Sequence, residues 1–486
     1  MFLRQIGSHN SASSPTAAET SPGRRDLNRI LNGLAILGCI GLYLYHFFVV
    51  WTYAVDVPFW DEWEMLSPGA LSPNLNIPWL FAQHNEHRIV TDKLFIWLLL
   101  RWNGWDIAAQ QLLNFLIYGA LLLVVVQMAR KTAPKMPLWA ILSFVVFLLS
   151  PINHENHLMA FQSSFHFVVL FFLCAALFFF DTKTDADGNT TQSWKSLLLG
   201  SLFAVLSIYS LASGLLSCAV LLLVFGIWKT QRARNAAAAL QSREWRQFVA
   251  VGLLLAGAMA LWFVGWQAST SQSLRASPFS ALFWVWFLNI LSAGFGFASY
   301  SVIAGLACLV FVLAPFAKLL LRSRSALRSR QVEEGTNAFS FWAPCAVTLG
   351  LLAVLLFVTS GRIGYGLPAS KTPRYTEFVL VLIPLAAAAW YPFVAGSRMR
   401  VPVLVALWTF CFLSFLPTWG YFRFYPERYT EREAGAACTG KYYQTGNPSG
   451  KDWHCRSIAP LDIPLNERLN RARELGVSFS RKLEQP

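Results

Sequence analysis

The chain has 486 residues, of which 55% are hydrophobic and 13% charged, and its mean hydropathy is +0.46. That composition excludes the two or three soluble domains such a length would otherwise suggest, because apolar runs close to the ~20 residues needed to cross ~30 Å of hydrocarbon recur throughout. The formal net charge of +14 does not mark a nucleic-acid partner, since the basic residues form short clusters between apolar runs and no basic soluble domain exists.

In chain order, residues 1–29 are polar and carry Arg24, Arg25 and Arg29. This segment is too long for a cleaved signal sequence, so the run 30–53 reads as an uncleaved anchor with a cytoplasmic N-terminus. Further spans are expected at 106–128, 137–152, 165–181, 196–211, 214–228, 248–266, 300–321, 341–359, 376–395 and 402–419. Together with the anchor they make about 11 transmembrane helices, an all-α polytopic fold whose transmembrane domain covers 30–419. Starting inside, this threading puts four basic clusters in the cytoplasm, as the positive-inside rule requires. They are Arg130, Lys131 and Lys135; Lys229, Arg232, Arg234, Arg243 and Arg246; Arg322, Arg324, Arg328 and Arg330; and Arg398 with Arg400. The 182–195 loop is the least basic of that side, because Asp181, Asp185 and Asp187 offset Lys183 and Lys195. Two apolar runs are not counted as crossings. Residues 94–100 are bounded by Asp92, Lys93 and Arg101 and read as a surface-lying helix of the first external loop, 54–105, with Trp97, Trp102 and Trp105 at the interface. Residues 279–295 are also short and read as a half-buried or re-entrant segment.

Cys39, Cys174, Cys218, Cys308, Cys345 and Cys411 lie in apolar runs, where a thiol behaves as a small hydrophobe. Cys438 and Cys455 lie in the polar tail 420–486, which the threading places outside; there they can pair. Such a bridge would contribute roughly 3 kcal/mol on the chain-entropy model. No internal repeat is evident, nor the paired broken helices of an inverted-repeat transporter.

The unusual residues collect in the outer loops. In WDEW, Trp60 and Trp63 offer indole faces on which pyranose C–H surfaces stack, and adjacent Asp61 and Glu62 can raise one another's pKa toward that of a general base. An interfacial loop with tryptophan anchors and solvated acids would use the same residues. Next comes HNEHR, with His84, Glu86, His87 and Arg88, followed by Lys93; a second cluster holds His154, Glu155, His157 and Gln162. The histidines of each cluster are three apart, a spacing that one helical turn would place on a single face. These loops carry enough nitrogen and oxygen donors for a divalent metal such as zinc, but not as HExxH, and no cofactor is assigned. Arg88, Lys93 and the histidines suit a phosphate better; helix capping and interface polarity are the plain alternative. Arg362, Lys371 and Arg374 are outer-side cations against the general bias, and Arg374-Tyr375 precedes an apolar helix at headgroup level. Snorkelling lipid contacts would explain them; with Gly361, Gly364 and Gly366 permitting close backbone approach, a site for a lipid-linked phosphate explains more.

This combination of many helices, a large first external loop and the acidic pair Asp61-Glu62 soon after the first helix resembles the GT-C superfamily of membrane glycosyltransferases. That superfamily includes protein O-mannosyltransferases and lipid A aminoarabinose transferases; HNEHR and HENH have no counterpart among its better-known motifs. The resemblance implies a polyprenyl-phosphate-linked sugar donor and a glycan, lipid or protein acceptor, met on the periplasmic face of a bacterial inner membrane. It implies Asp61, assisted by Glu62, as base, and Arg88, Lys93, Arg362 and Arg374 as partners of the leaving phosphate. Trp60, Trp63, His84, Glu86, His87, His154, Glu155, Gln162 and Tyr375 would orient sugar or acceptor. Two rivals use the same composition. One is a surface-polysaccharide polymerase or ligase of another fold, working through basic and histidine residues of a late loop. The other is a lipid-linked glycan transporter or flippase, which would hold ionisable groups at mid-membrane.

Overall fold

The computed structural model describes residues 22–184, 190–232, 243–267, 277–329, 338–394, 397–445, 453–459 and 463–483. Asp185, Asp187, Arg234, Arg330 and most of the polar N-terminus lie outside the described residues. Apart from a two-residue pairing of Lys183–Thr184 with Thr190–Thr191 and a bridge between His84 and His87, the described secondary structure is helical.

Nine of the described helices are long and apolar enough to span a membrane, the architecture of a polytopic membrane protein. They begin with α1 (Pro22–Tyr53). The first loop then carries a 3-10 turn (Trp60–Leu66), the short α2 (Ile77–Phe81) and α3 (Val90–Asn103). Helix α3 stops at Gly104, whose φ of +75° is the left-handed C-terminal cap that glycine adopts without strain. Two residues later Asp106 starts α4 (Ile107–Thr132) by accepting from the Ala109 N–H at 2.9 Å. Arg130 and Lys131 close α4 in its last turn, where cations complement the helix dipole.

The middle of the chain runs through α5 (Leu138–Val145), α6 (His154–Leu158), α7 (Ser163–Phe179), α8 (Trp194–Ile208), α9 (Ala212–Arg232) and α10 (Arg243–Phe263). Then come α11 (Ala281–Gly294), α12 (Val302–Ser329), α13 (Ala338–Arg362), α14 (Glu377–Leu380) and α15 (Leu382–Phe393). Helix α15 is buried on every side from Leu382 to Ala389, so the bundle is built around it. Helix α1 instead leaves Leu34, Leu37 and Leu44 exposed, an apolar face suited to lipid.

Some expected features change. The span expected at 196–211 corresponds to the shorter apolar helix Trp194–Ile208, whereas α12 covers the one expected at 300–321. The 376–395 span corresponds to the candidate crossing Pro373–Phe393, preceded by 3-10 turns at Pro368 and Pro373; its helix is interrupted at Val381, between α14 and α15, where Pro384 has no N–H to offer the Leu380 carbonyl. The last span, α16 (Arg400–Phe415), does not end near residue 419: it passes through a 3-10 stretch (Leu416–Arg423) into α17 (Phe424–Thr445).

Helix α17 is joined by the Cys438–Cys455 disulfide to α18 (Trp453–Ile458). With α19 (Leu465–Leu475) and α20 (Ser478–Leu483) it folds back over the first loop. The seams are specific: Arg471 Nη2 donates to the Leu71 carbonyl at 3.1 Å, the Ser478 N–H to that of Gly104 at 2.7 Å, and Lys482 Nζ lies 2.9 Å from Asp56 Oδ2.

Gly294 lets α11 lie against α14, since a Cβ there would land on the side chain of Val379. Gly294→Val is therefore expected to lower stability by about 1–3 kcal/mol through overpacking. Thermal unfolding in detergent checks this, and an unchanged midpoint would show that α14 yields freely.

Candidate functional site

A cavity of about 550 Å³ opens between the first loop and α7, α9, α10, α13 and the segment before α14. Its polar wall is made by Asp61, His84, Asn85, Glu86, His87, Gln162, Arg362, Arg374 and Tyr375. Its other wall is apolar, from Leu215, Leu216, Met259, Phe263, Phe357 and Phe378. One chamber thus presents charge at one end and a hydrocarbon-like surface along its side, the lining pattern of a site for an amphiphile.

The acidic turn is set by its local geometry. Trp60 has φ +51°, a left-handed conformation that costs a bulky residue about 1–3 kcal/mol. What holds it is Glu62, fully buried, whose carboxylate accepts from the Phe59 N–H at 2.8 Å and from the Phe161 N–H at 3.0 Å. The buried Arg432 of α17 is the foremost opposing charge, and its guanidinium lies 4.6 Å from the Phe59 ring centre. Burial still pushes the Glu62 carboxyl above its usual range, against the pull of Arg432 and the backbone N–H groups. In a 3-10 turn residues three apart eclipse, so Asp61 and Glu64 share a side that Glu62 does not. Burial also raises Asp61, offset first by His84 and also by Arg374 and Arg362.

The histidines of HNEHR are not on a helix. The N–H of His84 donates to the His87 carbonyl, and that of His87 to the His84 carbonyl, both at 2.8 Å, around Asn85 at φ +48°. This two-residue turn, rather than a helical spacing, sends both rings to one side. Nδ1 of His84 lies 3.1 Å from Glu64 Oε2, and Nε2 of His87 lies 3.4 Å from Glu86 Oε1. Burial keeps His87 well below the ordinary histidine range, so it is neutral near pH 7. Arg362 pairs with Glu86, and Arg374 Nε lies 3.3 Å from Glu155 Oε2.

The other residues singled out from the sequence lie elsewhere. Arg88 donates to the carbonyls of Phe81, Trp262 and Val264, closing the C-terminal end of α10. Lys93 Nζ donates to the Trp79 carbonyl at 2.8 Å and to that of Ala82 at 2.7 Å; burial lowers it to about 8. Both cations are thus engaged by backbone and do not line the cavity. Trp60 is half-exposed outside it, and Trp63 is buried with its indole N–H on the Ile458 carbonyl at 3.0 Å. His154 stacks on Phe424 at 4.8 Å, and Glu155 reaches the site only through Arg374. The 152–162 cluster therefore contributes Gln162 directly. Among the described residues no group of three or more His, Cys, Asp or Glu side chains is placed to hold a metal ion.

Inside the bundle lies polarity that the loop-centred reading did not foresee. His46 Nε2 is 2.5 Å and His157 Nδ1 3.2 Å from the Tyr425 hydroxyl, and His166 Nδ1 is 2.9 Å from Glu377 Oε1. All five side chains are fully buried. Asn156 ties this core to the site, donating to Glu377 Oε2 at 2.7 Å and to the Arg374 carbonyl at 3.1 Å. Sequence reasoning also missed Arg432 and gave Glu64 no role of its own. The three-residue step from Asp61 was a readable clue to Glu64; Arg432 sits in the charged run ERYTERE, which offered none.

Comparison with protein families, with curated proteins and with solved structures found no match to this chain.

Replacing Glu62 with Leu leaves Arg432 buried without its counter-charge and is expected to cost about 3–5 kcal/mol, read as a lower unfolding midpoint and faster proteolysis of the first loop. Equal stability of Glu62→Leu and the parent would remove the carboxylate from this role.

Proposed function

We propose that this protein is a membrane glycosyltransferase that moves a sugar from a polyprenyl-phosphate donor to an acceptor hydroxyl on the external face of the membrane. One observation carries the reading. Asp61, in the first loop, and Arg362 and Arg374, some three hundred residues later, line a single cavity with a continuous apolar wall. Asp61 is the base that takes the acceptor proton. Arg362 and Arg374 stabilise the phosphate that leaves, an electrostatic task suited to a recessed, low-dielectric chamber. The apolar wall holds the first units of the lipid.

Sidedness rests on the basic residues. Near the start of α4, Gln110 and Asn114 donate to the Ala160 carbonyl at 3.0 and 2.8 Å, next to Phe161 of the cavity wall. The cluster Arg130, Lys131 and Lys135 lies at the far end of α4, about 39 Å away for 26 helical residues. The positive-inside rule then makes the cavity external, where lipid-linked sugars rather than nucleotide sugars are the donors.

The test is transfer of a labelled sugar from polyprenyl phosphate by the purified protein in lipid. Asp61→Asn is expected to reduce kcat by about 10²–10⁴-fold, the usual worth of a general base, while the protein remains folded. Arg374→Gln should raise KM for the donor. Since burial raises Asp61 and a base works deprotonated, the rate should climb with pH along a limb above the usual aspartate value of about 3.9. Activity that survives Asp61→Asn but needs the late-loop cations would favour a polymerase or ligase. Lipid or solute movement that survives both substitutions would favour a transporter.

A further inference from the structure

The Asp61 proton needs an outlet, because a base that keeps it stops after one turnover. Three features point to His84. First, Asp61 and Glu64 share a side of the 3-10 turn, and His84 lies 5% exposed on the cavity wall beside Asp61. Second, the His84 tautomer is fixed by its two partners. Nδ1 faces the Glu64 carboxylate at 3.1 Å and so carries the hydrogen, while Nε2 faces Asn85 Nδ2 at 3.4 Å and so presents its lone pair. Third, Glu64 is 46% exposed on its side chain, so the chain runs from the half-buried Asp61 through the imidazole to water.

We infer that His84, oriented by Glu64, receives the acceptor's proton from Asp61, and that Glu64 is a positioning residue of the transfer reaction. The inference rests on the transferase reading given above. The acceptor oxygen bonds to the anomeric carbon as the bond from that carbon to the phosphate oxygen breaks, and the electron pair leaves on the phosphate. The hydroxyl proton passes to the Asp61 carboxylate and then to Nε2 of His84. The imidazolium, paired with ionised Glu64, releases a proton to water as the products depart. Glu64 stays ionised throughout, held below the usual glutamate range first by its hydrogen bond to His84, and so acts as the carboxylate of a catalytic triad does.

The charged surroundings of His84 are limited. Asp61 and Glu64 face it from the turn, and His87, with Glu86 and Arg362 behind it, from the same hairpin. Arg468 of α19 and Lys93 of α3 act on Glu64 from outside. Removing the Glu64 carboxylate should therefore make Nε2 of His84 a weaker proton acceptor and nucleophile, because Nδ1 loses its charged hydrogen-bond partner.

Two measurements on the full-length protein in detergent or lipid test this. The first needs no substrate: the rate of carbethoxylation of His84 by diethyl pyrocarbonate at about pH 8, read by peptide mass spectrometry. Glu64→Gln should slow His84 modification about threefold or more, with Glu64→Asp close to the parent. An unchanged rate overturns the proposal. The second is the kcat–pH profile. Glu64→Gln should shift the acid limb to lower pH and reduce the plateau about tenfold, with donor KM unchanged and partial rescue by Glu64→Asp. A uniform loss with no shift of the limb would mean a structural role only and would equally overturn it. If the parent transfers no sugar from any polyprenyl-phosphate donor, the functional reading fails instead, and the His84 modification rate still decides whether the pair exists.

Discussion

A carboxylate with no solvent, Glu62, ties together three parts of the chain that are far apart in sequence. Its two oxygens take the backbone N–H groups of Phe59 and Phe161, and the charge of Arg432 on α17 opposes its own. A buried charge is costly unless paired and hydrogen-bonded, so this geometry is tightly specified: a displaced partner leaves a bare ion behind. Asp61 stands at the cavity because its neighbour is fixed. The left-handed Trp60 is tolerated for the same reason, as strain persists only where its surroundings overdetermine it.

Four consecutive residues, Asp61, Glu62, Trp63 and Glu64, therefore face four different environments. Asp61 faces the chamber, Glu62 a knot of backbone donors, Trp63 the Ile458 carbonyl and Glu64 the open side beside His84. An extended or α-helical segment would have distributed them otherwise. The tighter turn brings the first and fourth together, and the chemistry of the three acids follows from the turn more than from their side chains.

This explains what could and could not be read from the sequence. Long apolar helices were legible because crossing hydrocarbon imposes length and composition. Their ends were less so, as the broken segment around Arg374 and the continuation of α16 into α17 depend on prolines and on packing. Polar residues between greasy runs drew attention to loops that line the cavity. Arg88 and Lys93 showed why such residues do not all face a ligand: a loop buried against helix ends has carbonyls to satisfy, and long cations do it well. The buried His46, His157 and His166 cluster was not legible as a unit, because His46 sits singly in an apolar run and only tertiary packing brings it to His157 of the second polar cluster, beside His166.

The tail that folds over the first loop has a bearing on how the molecule is made. The acidic turn is synthesised 395 residues before the Ile458 carbonyl that receives its Trp63, and the arginine that opposes Glu62 also comes after helices α1 to α16. Those helices are therefore made before that seat exists. A nascent chain arrested before α18 would still lack the partner of Trp63, so the acidic turn acquires its full setting only after the helices that surround the cavity.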